Sequence, residues 1–173
     1  RPLVLLHGIG MSSLAWSPVM DRLAQGRRVL AFDTAGFGQT PPLPAGVAPT
    51  VPNLVCALRE TLDAMGVHGP VDVAGNSMGG WMALEAARLG LARSVVAISP
   101  AGLWDKPPAH VKHVFFNIRR LARVAPGVVK QALKVAVLRE AFLAVPMTTG
   151  GSRIPAEEAF AATMDFVNAA GFD

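Results

Sequence analysis

The chain has 173 residues, a net charge of +4 and a mean hydropathy of +0.39, with 51% apolar residues and a single cysteine. That length suffices for one domain with a real core, while one cysteine excludes an internal disulfide framework and argues against a cysteine-rich zinc site. No apolar run is long enough to span a bilayer.

The chain enters directly on Leu3-Val4-Leu5-Leu6, a continuous apolar run of the buried parallel-strand type. It ends in His7-Gly8-Ile9-Gly10. Trp16, Val19, Met20 and Leu23 then recur at helical spacing, opened by Ser17-Pro18. Arg28-Val29-Leu30-Ala31-Phe32 reads as a second strand ending at Asp33. A loop rich in glycine and proline follows, from Gly36 to Pro49. A second helix is expected from about Pro52 to Met65, with Leu54, Leu58, Leu62 and Met65 as its stripe and Gly66 as its stop. Cys56 lies among apolar neighbours there and reads as a buried, inert thiol. Val71–Val73 gives a third strand, a helix runs to about Leu89 and Gly90, and Val95–Ile98 gives a fourth strand. Strands and helices in alternation mean right-handed βαβ units and a parallel sheet with helices on both faces. Ligands of such sheets bind at the strand C-termini.

The pattern changes after Gly102-Leu103-Trp104. Pro107-Pro108 is a breaker. Val111 to Ala122 reads as one helix, Val129 to Val137 as a second, and a third follows Pro155. The expected organisation is an α/β core over residues 1–102 and a helical cap over residues 103–173. Lys106–Arg139 carries eight bases and no acid. The bases are spread among long apolar positions without the aromatic interleaving that single-stranded nucleic acids need. They read as solvated helix faces, and no nucleic-acid partner is expected.

The chemistry centres on Gly75-Asn76-Ser77-Met78-Gly79-Gly80, which lies between the third strand and a helix-forming run. G-x-S-x-G in a strand–turn–helix setting is the signature of a sharp turn that lifts a serine hydroxyl above a sheet, at the positive end of a helix. A serine needs a base to take its proton, and attack on an acyl carbon needs placed N–H donors for the oxyanion. The backbone N–H of Met78 is one candidate donor. The other comes from the loop after the first strand, with Ile9 as first choice and Gly10 as the alternative.

His7-Gly8-Ile9-Gly10, Asp33-Thr34-Ala35-Gly36-Phe37-Gly38 and Gly75-Asn76-Ser77-Met78-Gly79-Gly80 together resemble the α/β-hydrolase fold family, in its order and spacing, over residues 2–104. The resemblance implies that Ser77 is the nucleophile and that Ile9 and Met78 are the oxyanion donors. It also implies that the Asp33 loop is structural, and that the first and third strands here lie at the centre of the sheet. Two N-terminal strands of the family are then missing. So is a later strand and loop carrying the acid and the histidine, which makes the chain a fragment truncated at both ends.

The family order is Ser, acid, His, and the four histidines here do not fit it. His7 belongs to the oxyanion motif and His68 to the turn before the third strand. His110 and His113 begin the first cap helix and read as pocket or solvent-facing groups. Asp105, Asp165 and Asp173 are poorly placed for the acid. No acid and no base are therefore assigned. His110-x-x-His113 lacks a third ligand, so no metal is expected, and no cofactor motif is present.

The resulting expectation is a serine hydrolase of carboxylic esters or related acyl compounds, with a small apolar acyl substrate and a cytoplasmic location. The fragment by itself is expected to be inactive. Two alternatives stand beside it. One is a carbon–carbon bond hydrolase of ring-cleavage products, whose elbow the Gly-Asn-Ser-Met-Gly-Gly run resembles. The other is a non-catalytic product that self-associates through open sheet edges.

Overall fold

The computed structural model of this chain describes residues 1–103, 109–144 and 150–170. Trp104, Asp105, the Pro107-Pro108 breaker and Asp173 lie outside the described residues, as do the side chains of His110 and Val111. The chain divides into two compact units, one of Arg1–Trp104 with Ala169–Asp173 and one of Asp105–Asn168.

The first unit alternates strand and helix. β1 is Leu3–Leu6, α1 is Ser17–Leu23 after a 3-10 turn at Ser13–Trp16, and β2 is Val29–Phe32. α2 is Val51–Ala64, β3 is Val71–Asn76, α3 is Met78–Arg88 and β4 is Ala92–Ile98. The strands form one parallel sheet in the order β2-β1-β3-β4, so β1 and β3 are central. Side chains alternate across a strand, which splits the apolar run of β1 between two cores. Val4 and Leu6 join Val71 and Val73 against Leu54, Val55, Leu58 and Leu62 of α2 and Met82, Ala83 and Ala86 of α3. Leu3 and Leu5 join Ala74 on the opposite face, under Trp16, Met20 and Leu23. Each fully buried Leu or Val contributes about 1.5–3 kcal/mol. Both faces are thus helix-covered, as the alternating pattern predicts.

Four expectations shift. Cys56 is exposed rather than buried, because it sits two positions round the helix from Leu54 and so falls off the stripe. Met65 leaves the α2 stripe at the C-cap and is exposed, while Val51 and Val55 complete it. Val19 is more exposed than the rest of the α1 stripe. On β4, which is longer than expected, Val96 and Ile98 are 59% and 43% exposed.

The N-terminal edge of the sheet is tied together by one carboxylate. Asp72 on β3 accepts hydrogen bonds from Arg27 Nη2 (2.6 Å) ahead of β2, from Arg93 Nη2 (2.9 Å) and from Ser94 Oγ (2.6 Å) on β4. The Ser94 hydroxyl and the Arg27 guanidinium hold its carboxyl well below the usual carboxylate range.

α3 is pressed against the sheet through glycines. A Cβ on Gly79 would lie 2.2 Å from the Leu6 carbonyl oxygen, and one on Gly75 would lie 2.0 Å from the Gly79 carbonyl oxygen. These are backbone-to-backbone contacts with nothing flexible to yield.

The second unit has its own core of Ala122, Val129, Leu133, Leu143, Ala159 and Val167. It contains α4 (Ala109–Val124), α5 (Pro126–Lys134), α6 (Ala136–Ala144) and α7 (Ala156–Asn168). The run expected as one helix over Val129–Val137 is therefore two. Val135 is extended between them (φ −85, ψ 119), and the Arg139 guanidinium takes the Leu133 carbonyl that a continuous helix would give to Val137 N–H. Arg139 also holds the Ser152 carbonyl at 2.8 Å, and the adjacent Glu140 accepts Gly150 and Ser152 N–H at 2.9 and 2.7 Å. Arg119 and Arg123 both reach the Val167 carbonyl at the end of α7 (3.2 Å each). Arg119 and Arg139 are buried, so two of the eight bases expected on solvated faces instead terminate helices.

Two measurements check these packing assignments. Asp72→Asn lowers the melting temperature at pH 7. Because the folded pKa is depressed, the stabilisation is present above the unfolded value near 3.8 and is lost as pH falls through the folded one. The gap between wild type and variant in thermal melts therefore narrows below pH 4. Gly79→Ala destabilises by at least about 1–3 kcal/mol through overpacking. Gly127→Ala meets nothing within 4 Å on α5, and chemical denaturation is expected to find it neutral or stabilising by under about 1 kcal/mol.

Candidate active site

Ser77 occupies the corner between β3 and α3 with φ 52 and ψ −113. Ser77 and Ser99 are the non-glycine residues with positive φ among the described residues. An L-residue in that region costs on the order of 1–3 kcal/mol and persists only where its surroundings fix it. Here Ser77 N–H donates to the Ile98 carbonyl (3.0 Å), while the Ser77 carbonyl accepts from Trp81 N–H and Ala101 N–H (3.0 Å each). Both polar groups of the peptide are therefore used, and the side chain projects from a turn that the backbone has locked. Met78 is the first residue of α3, so its N–H has no intrahelical acceptor and lies at the positive end of the helix.

The exit of β1 comes to the same place. A Cβ on Gly8 would stand 3.1 Å from Asn76 Oδ1 and 3.5 Å from Ser77 Cβ. Glycine at position 8 thus lets the backbone approach the serine. Ile9 and Gly10 form the centre of a turn closed by Met11 N–H to the Gly8 carbonyl (3.1 Å), with Gly10 at φ 72. The fold thus brings Gly8, the residue before Ile9, against Ser77, and Met78 follows Ser77 as the first residue of α3.

His7 anchors this loop. Thr34 N–H donates to its Nε2 (3.0 Å), so Nε2 is the acceptor and Nδ1 carries the proton given to the Gly8 carbonyl (2.8 Å). The ring is 1% exposed and packs edge-on against Phe37. A neutral imidazole in that tautomer fastens the β1 exit to the β2 exit. Asp33 does similar work: its carboxylate accepts Ser13 N–H (2.6 Å) and Gln39 N–H (2.9 Å). Burial pushes its pKa up, but the Gln39 and Ser13 hydrogen bonds more than offset this and hold it below the ordinary value. Gly38 packs on that carboxylate at φ 54. The Asp33 loop is structural, as the motif implies. Its pairing with Ser13 has no sequence signal, because the partner is a backbone N–H twenty residues away.

A pocket of about 220 Å³ lies beside the elbow, lined by His7, Gly8, Met11, Trp16, Asn76 and Ile98. A smaller cavity of about 100 Å³ lies under the β2 exit, between Phe32, Leu54 and Leu58, and includes neither the elbow nor the β1 exit loop. His68 is exposed, 3.2 Å from Asp63, in the turn that precedes β3. Ser77 follows β3, so the two stand at opposite ends of a six-residue strand, about 20 Å apart. His113 is exposed on α4. Among the described residues no group of three or more His, Cys, Asp or Glu could hold a metal ion, and no helix is long and apolar enough to cross a membrane.

The chain is similar to known proteins in sequence and in fold. A protein of Mycobacterium phage D29, provisionally named a non-heme haloperoxidase, is 35% identical over 125 residues, which are 72% of this chain and 42% of that protein. A 2-hydroxy-6-oxo-2,4-heptadienoate hydrolase of Pseudomonas putida is 42% identical over 90 residues, 50% of this chain and 32% of that enzyme. The chain thus spans less than half the length of these relatives. A thermophilic esterase from Thermogutta terrifontis has the same fold, with a TM-score of 0.65 at 23% identity over 99% of this chain and 62% of the esterase. The sequence profile of the alpha/beta hydrolase family matches residues 3–171. By its sheet order, its strand–serine–helix corner and that match, the chain belongs to the alpha/beta hydrolase family.

Proposed function

We propose that this chain carries the nucleophile and the oxyanion donors of a serine hydrolase acting on carboxylic esters or related acyl compounds. The observation that supports this most directly is the backbone of Ser77. A serine held at φ 52 between a parallel strand and a helix N-terminus has no structural need for its hydroxyl, since its peptide groups make the turn. In the proposed reaction a general base of the full protein takes the Ser77 hydroxyl proton as Oγ attacks the acyl carbon, and returns it to the leaving oxygen. The carbonyl oxygen becomes an oxyanion facing Met78 N–H and Ile9 N–H, and the C–O bond to the leaving group breaks to give an acyl-enzyme. Water then releases the acid.

The proton acceptor is not His7 or His68. Both ring nitrogens of His7 are engaged with backbone groups, and His68 lies at the wrong end of β3. The second unit, with its separate core, is read as a helical cap domain. The pocket beside the elbow, with Met11, Ala15 and Ile98 among its lining residues, suits an apolar acyl group.

A second reading within the same family is hydrolysis of a carbon–carbon bond in a ring-cleavage product. The 42% identity with the dienoate hydrolase favours it, together with the Gly-Asn-Ser-Met-Gly-Gly elbow. Both chemistries place the same serine and donors against a carbonyl, so the substrate decides between them.

In the full protein that carries these residues, Ser77→Ala is expected to lower p-nitrophenyl ester turnover by at least about 10³-fold with an unchanged circular dichroism spectrum. Covalent labelling by a fluorophosphonate is expected to map to Ser77 and to vanish in the variant. Retained turnover, or a label elsewhere, refutes Ser77 as the nucleophile. Turnover of a vinylogous dienoate well above that of the ester panel selects the carbon–carbon reading. The 173-residue chain alone is expected to label slowly. Rapid stoichiometric labelling of it would mean that it holds its own base, with His110 and His113 the remaining histidines.

A further inference from the structure

β3 lies between β1 and β4, so the elbow is flanked by the exits of both neighbouring strands. The β1 exit supplies Gly8 and the Ile9 turn. Beyond Ile98, which lines the pocket beside the elbow, the β4 exit supplies no group with a role in the proposed reaction, yet it holds the elbow through several contacts. Ile98 accepts Ser77 N–H, and Ala101 N–H donates to the Ser77 carbonyl. Pro100 packs on Gly80, where an added Cβ would lie 3.0 Å from the proline ring. Gly102, at φ 80, sits under the indole of Trp81, whose ring carbons stand 2.5–2.9 Å from where a Cβ would be. Between these contacts Ser99 is held at φ 43, a second non-glycine residue in the left-handed region. Strain of that kind persists where the surroundings over-determine a segment. Here the surroundings are residues 77, 80 and 81 of the elbow.

We propose that Ser99–Gly102 is a positioning element for Ser77. The contact between Gly102 and Trp81 sets the tilt of the first turn of α3, and with it the direction of Met78 N–H. Trp81 N–H and Ala101 N–H share the Ser77 carbonyl, so a shift of either the indole or the loop moves the serine peptide. Gly102 is required for a steric reason as well as for its φ: any larger side chain pushes the indole, and the indole is attached to the helix turn that carries the oxyanion donor. This inference rests on Ser77 and Met78 having the roles given above, and a misplacement near 1 Å at such a site costs about 10²-fold in rate.

The test uses the full protein and compares Gly102→Ala, Trp81→Leu and the double variant. Gly102→Ala is expected to lower kcat by about 10- to 100-fold with KM within about twofold of wild type, and to speed amide hydrogen exchange at residues 78–81. Replacing the ring by leucine makes room for the new Cβ, so the double variant is expected to be faster than Gly102→Ala alone. Left-handed strain at position 102 is the same in both, so it predicts no such recovery. Wild-type kcat in Gly102→Ala, or no recovery in the double variant, overturns the proposal. Should Gly102→Ala not fold, Trp81→Ala is a surface change that withdraws the same contact. It is expected to lower kcat at constant KM and to speed exchange at 78–81, and unchanged exchange there overturns the proposal. The exchange measurement separates the two readings: if Ser77→Ala keeps its activity, the nucleophile assignment has failed, while exchange at 78–81 still reports whether Gly102 sets the turn.

Discussion

The corner between β3 and α3 forces one residue into a left-handed backbone conformation, and the surrounding chain answers that demand. Ser77 can hold φ 52 because its N–H and carbonyl are both claimed, by Ile98 on one side and by Trp81 and Ala101 on the other. The turn is tight enough that α3 begins in contact with the sheet. Gly75 and Gly79 therefore have no room for a side chain, and Gly79 faces the carbonyls of Leu6 and His7 on the next strand. The same closeness brings the β1 exit against the serine through Gly8. The tight corner thus accounts for glycine on a strand (Gly75), on a helix (Gly79) and in the loop after β1 (Gly8).

The parallel sheet divides its two ends by role. At the N-terminal edge, charges are mutually satisfied: Arg27, Arg93 and Ser94 converge on Asp72 and lock three neighbouring chain segments. At the C-terminal edge, His7 and Asp33 spend their polar atoms on backbone N–H and carbonyl groups of the exit loops. Those side chains fasten the exit loops on either side of the Ser77 corner. Under the proposed function such rigidity matters, because oxyanion stabilisation depends on donors that do not reorganise during reaction.

The helical unit is stabilised differently. Its core is small, and α5 and α6, of nine residues each, are bounded by Pro126 and separated by the extended Val135. Arginines substitute for missing helix caps. Arg119 and Arg123 meet the Val167 carbonyl, and Arg139 gathers carbonyls from the end of α5 and from the 3-10 turn at Gly151–Arg153. Burying a guanidinium is costly when it is unpaired. Helix C-terminal carbonyls carry partial negative charge and lack intrahelical donors, so each arginine offsets two deficits at once.

The strands of the sheet, the elbow and its glycines were legible in the sequence because they depend on local rules. Apolar runs bounded by glycine mark buried strands, and a serine between glycines at a strand–helix junction marks the corner. The parallel order with β1 and β3 at the centre followed from the motif resemblance, and the structure has it. Other features depended on partners distant in the chain. Whether Cys56 is buried depends on which face of α2 meets the sheet. The division of Val129–Val137 into two helices depends on Arg139 reaching back to the Leu133 carbonyl, and the basic run reads as surface until Arg119 is seen to cap another helix. The sequence by itself determined the strand–serine–helix corner and the family, since backbone strain and glycine spacing are written locally. Only the tertiary structure decided what surrounds that corner, namely the β4 exit on Trp81 and the His7 tautomer, and, within the helical unit taken by itself, which helix ends the arginines cap. Those contacts join residues that sequence spacing does not relate, and hydrogen-bond satisfaction in three dimensions selects them.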